Sequence, residues 1–331
     1  NGNLDVDGGT IKLDGSYPTG TDNTALGDTA LDSVQAGGVS NTVIGHNAGT
    51  AITTGDGNTV VGDLALDASS TSSDNTAIGR CALTTSTASN NTAVGAYSLR
   101  DNTTGSNNVA FGISALKENT EGDNNTSIGN SSLCNNTTAD NNTALGNSAM
   151  KLNTTGASNT AVGKDALYAN TTANNNTAIG VCAMIATTTG ANNTAVGFSA
   201  LDTNTTGCEN VAVGRDTLFS NTSGERNVAL GYRALCANTS GDFNIAVGRQ
   251  SLFGNTTGER NSVLGLNAMY TNTTGGCNVA IGGNALYSNT TAANNTAVGA
   301  CSLEANTTGC QNVAVGRSAL CSNTTAASNT A

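Results

Sequence analysis

The side chains best suited to chemistry in this chain are nine cysteines, one histidine and a scatter of carboxylates. Cys182 and Cys301 form one group, Cys134, Cys236 and Cys321 a second, and Cys208 and Cys310 a third, with members separated by whole multiples of seventeen residues. Cys81 joins the first group after one shortened interval, and Cys277 stands alone. No CxxC pair occurs, so the thiols do not read as a zinc cage. Calcium loops of the GGxGxD type do not recur either. His46 follows Gly45 with no nucleophile phrase beside it and reads as a solvated corner residue. Asp165, Asp216, Glu225 and Glu259 read as outer-surface carboxylates, solvated or paired with Arg226 and Arg260. Nothing here assembles catalytic residues, metal ligands or a cofactor site, so the expectation is a protein that is not an enzyme.

The interval of seventeen belongs to the whole chain. A phrase seen cleanly as NTAVGAYSLRDNTTGSN from Asn91 to Asn107 returns until the sequence stops. Its glycine marks the register at Gly95, Gly112, Gly129, Gly146, Gly163, Gly180, Gly197, Gly214 and so on to Gly316, without a slip. Upstream the same phrase carries Gly27, Gly45, Gly62 and Gly79, giving eighteen coils in all. A short fixed period is the mark of a solenoid, in which each unit buries its apolar side chains only against its neighbours. The predicted fold is therefore all-β, a parallel β-solenoid or β-roll. Its expected organisation is a strand-rich cap or shaft end over 1–22, then a continuous solenoid over 23–331, less regular over 23–90 and regular over 91–331. At about 4.8 Å per coil the stack would extend roughly 85 Å. The chain also stops inside a phrase, which suggests a segment of a longer protein.

Numbering each coil from its opening Asn as column one puts the glycine in column five. Columns three and four read Ala and then a larger apolar residue, and columns eight and nine read Ala or Ser and then Leu or Met. Helical spacing is absent, since Gly, Asn and Thr interrupt every run. Two apolar pairs therefore predict two short strands per coil. Adjacent residues of a strand point to opposite faces, so each pair sends one side chain in and one out. Small Ala fits the narrow interior, while the larger columns, represented by Val94, Leu99, Phe111, Leu116, Ile128, Leu133, Val162 and Leu167, are candidates for the core or for a seam between chains. A polar rod with an apolar stripe would self-associate, and a parallel homotrimer, extensible into a filament, is the expected solution.

Other columns carry turns and ladders. The invariant glycine of column five suggests positive φ or a backbone too crowded for a Cβ. Column fifteen accepts Gly or Ala, as at Gly105 and Ala139, so small size is the better explanation there. Asn at column twelve, in Asn102, Asn153, Asn170, Asn204, Asn255 and Asn272, is either a rung of a hydrogen-bonded ladder between coils or an Asn-x-Thr sugar acceptor. Same-column cysteines lie too many coils apart for the roughly 7 Å Cα spacing of a disulfide. The thiols are then free or bridge between chains, with Cys182, Cys208, Cys301, Cys310 and Cys321 the candidates. Column ten turns aromatic at Tyr168, Phe219, Phe253, Tyr270 and Tyr287, to fill an interchain groove or line a carbohydrate face.

Composition narrows the partners. A net charge of −11, with 23 acidic and 12 basic residues spread over the coils, disfavours nucleic acid. No apolar run approaches the roughly 20 residues of a membrane span.

The phrases NTAVG, NVAVG and NVAIG, each followed by a small residue and Leu, resemble the head repeats of trimeric autotransporter adhesins over residues 23–331. Those heads are trimers of left-handed parallel β-rolls with shorter coils, so the NTTG corner is extra here. The opening stretch from Gly2 to Pro18 resembles segments preceding such repeats in tail-fibre-like proteins of aquatic viruses. Together the resemblances imply an extracellular, cell-surface or virion-borne fibre, adhesive and structural. Its partners would be other copies of itself and a cell-surface glycan or receptor. Glycan or, less readily, ice recognition by the Asn and Thr columns is the alternative function, as is a single-chain extracellular filament.

Overall fold

The computed structural model describes residues 11–12 and 20–331, and the chain forms two compact units, Asn1–Asn159 and Thr160–Ala331. In the first, the strand Ile11–Lys12 pairs antiparallel with Thr24–Leu26. The rest of the strand-rich cap or shaft end expected over 1–22, residues 1–10 and 13–19, lies outside the described residues. From Thr24–Leu26 to Thr143–Leu145, three-residue strands follow in chain order, and successive ones pair in parallel. The second unit repeats the pattern from Thr160–Val162 to Val313–Val315. Each unit is a parallel β-solenoid, and successive strands match column for column, as Thr194 with Val211, Ala195 with Ala212 and Val196 with Val213. A one-residue slip would turn the buried Ala column outward, so the repeat itself fixes the register.

One strand per coil is found, not two. Columns two to four form the strand, and columns eight and nine lie in a run of turns. The reason is backbone hand. Columns seven and nine are left-handed despite carrying side chains, as at Ser114 (φ 55°) and Leu116 (φ 52°), whereas columns six and eight are not. Alternating hand keeps the backbone from extending, yet it still presents amides to both neighbours. The Tyr97 N–H donates to Arg80 O of the preceding coil at 2.9 Å, and the Leu99 N–H donates to Ala115 O of the following coil at 3.0 Å. Left-handed non-glycine residues cost on the order of 1 to 3 kcal/mol each. Bonding to stacked coils holds them there.

The same geometry corrects the expected seam. Column nine, the Leu and Met column, lies inside its own coil: Leu99, Leu116, Leu133, Leu167 and their equivalents are fully buried, beside an equally buried column eight. Of the two apolar pairs, column four alone points outward, as Phe111, Ile128, Leu145, Ile179, Leu264 and Val315 do on the exposed face. The interior of a coil is thus Ala from column three, Ala or Ser and Leu or Met from columns eight and nine, and two asparagines.

Column five needs glycine on both counts. Its φ runs from 123° to 148°, and a Cβ added at Gly95 would sit 2.5 Å from Gly112 O in the next coil. Column fifteen is crowded but not left-handed, so no φ demands glycine there and the small Ala139, Ala173 and Ala292 are accepted.

Candidate functional site

The polar interior comes first, because it removes one set of candidates. Asn221 at column twelve donates from Nδ2 to Asn204 Oδ1 at 2.9 Å and to Gly224 O at 3.0 Å, and its own Oδ1 accepts from Asn238 at 2.9 Å. Column one forms a second ladder. The Asn227 backbone N–H donates to Asn210 Oδ1 at 3.0 Å, and Asn210 Nδ2 reaches the same Gly224 O at 2.8 Å. Both ladders converge on the carbonyl of column fifteen. Asn102, Asn153, Asn170, Asn204, Asn255 and Asn272 are completely buried, so in the folded coil none of them can carry a sugar. Thr187 stands where the ladder would have Asn, and its buried hydroxyl has no hydrogen-bond partner.

Column thirteen supplies a threonine ladder, but its hydroxyls are spent on backbone. Thr205 Oγ1 donates to Thr222 O at 3.0 Å, and Thr222 repeats the bond to Thr239 O. Asn and Thr columns therefore hold coils together rather than offer donors to a ligand.

His46 is exposed and pairs through Nδ1 with Asp63 Oδ1 of the next coil at 2.8 Å. Lys164 pairs with Asp165 at 3.5 Å and Arg260 with Glu259 at 3.5 Å, while Arg226 reaches Glu209 of the preceding coil at 2.9 Å. No group of three His, Cys, Asp or Glu residues among the described residues is placed to hold a metal ion. No helix among them is long and apolar enough to cross a membrane.

The nine cysteines are unbridged within the chain. Cys134 is buried, Cys277 exposed, and Cys182, Cys208, Cys301, Cys310 and Cys321 half-buried. Burial pushes the Cys134, Cys182 and Cys236 thiols up, lowering their thiolate fraction.

Aromatics of column ten stack on one another where successive coils supply them. Phe253 and Tyr270 lie 5.0 Å apart and 8° from parallel, and Tyr270 and Tyr287 lie 5.3 Å apart and 4° from parallel. Sequence reasoning passed over a second aromatic column. Five successive coils of the second unit carry Phe198, Arg215, Tyr232, Arg249 and Leu266 in column six, and the Tyr232 ring has three guanidinium groups around it, from Arg215 at 5.9 Å, Arg233 at 5.4 Å and Arg249 at 5.9 Å. The alternation of Arg and aromatic residues at intervals of seventeen was the available signal.

Column four is the most continuous surface feature of either unit. Phe111 is 55% exposed, Leu264 51% and Val315 61%, in a series with an apolar residue in every coil. No family model matches this chain, and no curated protein matches it.

Proposed function

We propose that the chain is a non-enzymatic structural and adhesive fibre element, outside the cell or on a virion, whose copies associate through column four, three to a particle. The apolar stripe carries this reading. Leu and Ala close the interior of each coil without help from column four, so residues such as Phe111, Ile128 and Leu264 contribute nothing to the core they flank. An outward row of Val, Ile, Leu and Phe repeated in every coil is costly to leave against water, and burying it removes about 25 cal/mol per Å² of apolar surface from that cost. The coils themselves suit a stalk, since each is tied to the next by backbone bonds, by two Asn ladders and by a Thr ladder. Resemblance of the NTAVG phrases to trimeric adhesin heads supports the same stoichiometry and the same setting.

The test is the native mass of the purified protein with and without reductant, beside the mass of the denatured chain. Three chains per particle are expected. Dissociation on reduction would place half-buried thiols such as Cys182, Cys208, Cys301, Cys310 and Cys321 at the seam. One chain per particle at all concentrations would overturn the trimer and leave a self-sufficient solenoid.

A further inference from the structure

We propose that the arginine cluster around Tyr232 is a binding site for an acidic glycan, a run of sugar rings bearing carboxylate or sulfate groups. This goes beyond the structural reading and does not depend on chains associating. Five of the chain's eight arginines fall between residues 215 and 260, in a protein whose net charge is −11. Three of the five surround one ring. Asp216 is the carboxylate paired with this cluster, reached by Arg215 Nε at 3.4 Å and Arg233 Nε at 3.3 Å, and its side chain is only 11% exposed. Three guanidinium groups against Asp216 and Asp202, whose carboxylate lies within electrostatic reach of Asp216, leave an excess of one positive charge (3 − 2 = 1). Arg249 has no carboxylate in ion-pair reach among the described residues and is exposed.

Geometry favours anionic groups with paired oxygens, repeated at a fixed spacing. Arg215 and Arg233 meet Asp216 through Nε, and the two terminal nitrogens of a guanidinium group match the paired oxygens of a carboxylate or sulfate. The Tyr232 ring holds the three guanidinium groups apart, which lowers the entropy lost when a ligand orders them. Arg215 and Arg249 are two coils apart, about 10 Å at roughly 4.8 Å per coil, and a pyranose ring spans about one coil. A sugar chain acidic at every second ring would meet both. Phe198 and Leu266, the exposed column-six residues on either side of Arg215–Arg249, offer apolar surface to the faces of flanking rings.

Charge density separates this ligand from nucleic acid. A duplex presents a negative charge about every 1.7 Å, and beyond the cluster the neighbouring coils carry Glu209, Glu225, Asp242 and Glu259 against Arg226 and Arg260. Most phosphates of a bound strand would face neutral or acidic surface.

The experiment is calorimetric titration of the full chain with a heparin-derived hexasaccharide, an oligogalacturonate hexasaccharide, maltohexaose and a twelve-nucleotide single-stranded DNA. Acidic hexasaccharides should bind and weaken as salt rises, while maltohexaose should not bind. Arg215→Gln and Arg249→Gln should each weaken binding about tenfold, the scale of one lost charged hydrogen bond, with the melting temperature unchanged. Tyr232→Phe should keep the affinity, because the ring rather than the hydroxyl supports the arginines, and Tyr232→Ala should lose it. Failure of both acidic sugars to bind, binding indifferent to the two arginine substitutions, or equal or tighter binding of the DNA would each overturn the proposal. Native mass reports association and titration reports this cluster, so either reading can fail alone.

Discussion

Two apolar pairs in one coil carry the same sequence signature and come to opposite ends. In the coil of Asn108, Ala110 is buried and Phe111 is 55% exposed, whereas Ala115 and Leu116, five residues on, are both fully buried. The first pair sits in an extended strand, Val109–Phe111, where neighbours must point to opposite faces. The second sits where Leu116 is left-handed and Ala115 is not. Reversing the hand between neighbours cancels the alternation, so both side chains turn inward. A small residue followed by a large one thus predicts burial of the first, while the fate of the second depends on φ.

The sharpest way to break this comparison is to truncate both large residues. Leu116→Ala should cost about 3 kcal/mol in urea unfolding, within the usual range for emptying a core position. Phe111→Ala should cost under about 1 kcal/mol in the isolated chain, because its ring is largely in water already. Equal losses would mean that column four is buried by something other than its own coil. A Phe111 effect that grows with protein concentration would point to the seam between copies.

Polar residues admit the same contrast of inside and outside with a smaller effect. Asn221→Ala removes one rung from the column-twelve ladder, taking one hydrogen bond each from Asn204 Oδ1, Asn238 Nδ2 and Gly224 O, the last of which keeps its bond from Asn210. We expect a loss of about 2 kcal/mol, on the scale of a buried group left unsatisfied. Thr206→Ala, two columns on and exposed, should stay within about 0.5 kcal/mol of the parent. A tolerated Asn221→Ala would show that the ladder is incidental.

The smallest expected effect runs the other way. Thr187→Asn would restore a rung where the hydroxyl is now buried without a partner, and where Asn204 Nδ2 bonds Gly207 O at 3.0 Å with no asparagine below to receive it. A gain of about 1 kcal/mol is expected, seen as a higher melting temperature. A loss would mean that the coil has closed around threonine and has no room for the amide.

Much of this was legible from spacing. Gly95 and its equivalents announced a tight corner, Asn102 and its equivalents a ladder or a sugar acceptor, and Ala110 a narrow interior, because in a repeat each column needs the same solution in every coil. For Leu116 the sequence left core and seam both open. Its left-handed backbone is disfavoured locally and persists only because amides above and below it are bonded, an influence that no short stretch of sequence contains. The Tyr232 cluster was half legible. Its alternation of Arg215, Tyr232 and Arg249 stands in column six, but Arg233 belongs to column seven and joins only through the fold.

By itself the sequence determined the period, the parallel register and the small residues of the interior, since stacking like on like leaves one alignment that keeps Ala inside and Gly at the corner. Only the tertiary structure decided which large apolar column fills the core, which asparagines are closed to modification, and which arginines share one ring. Those outcomes depend on backbone hand and on contacts between coils, and both exist only once one coil has been laid on the next.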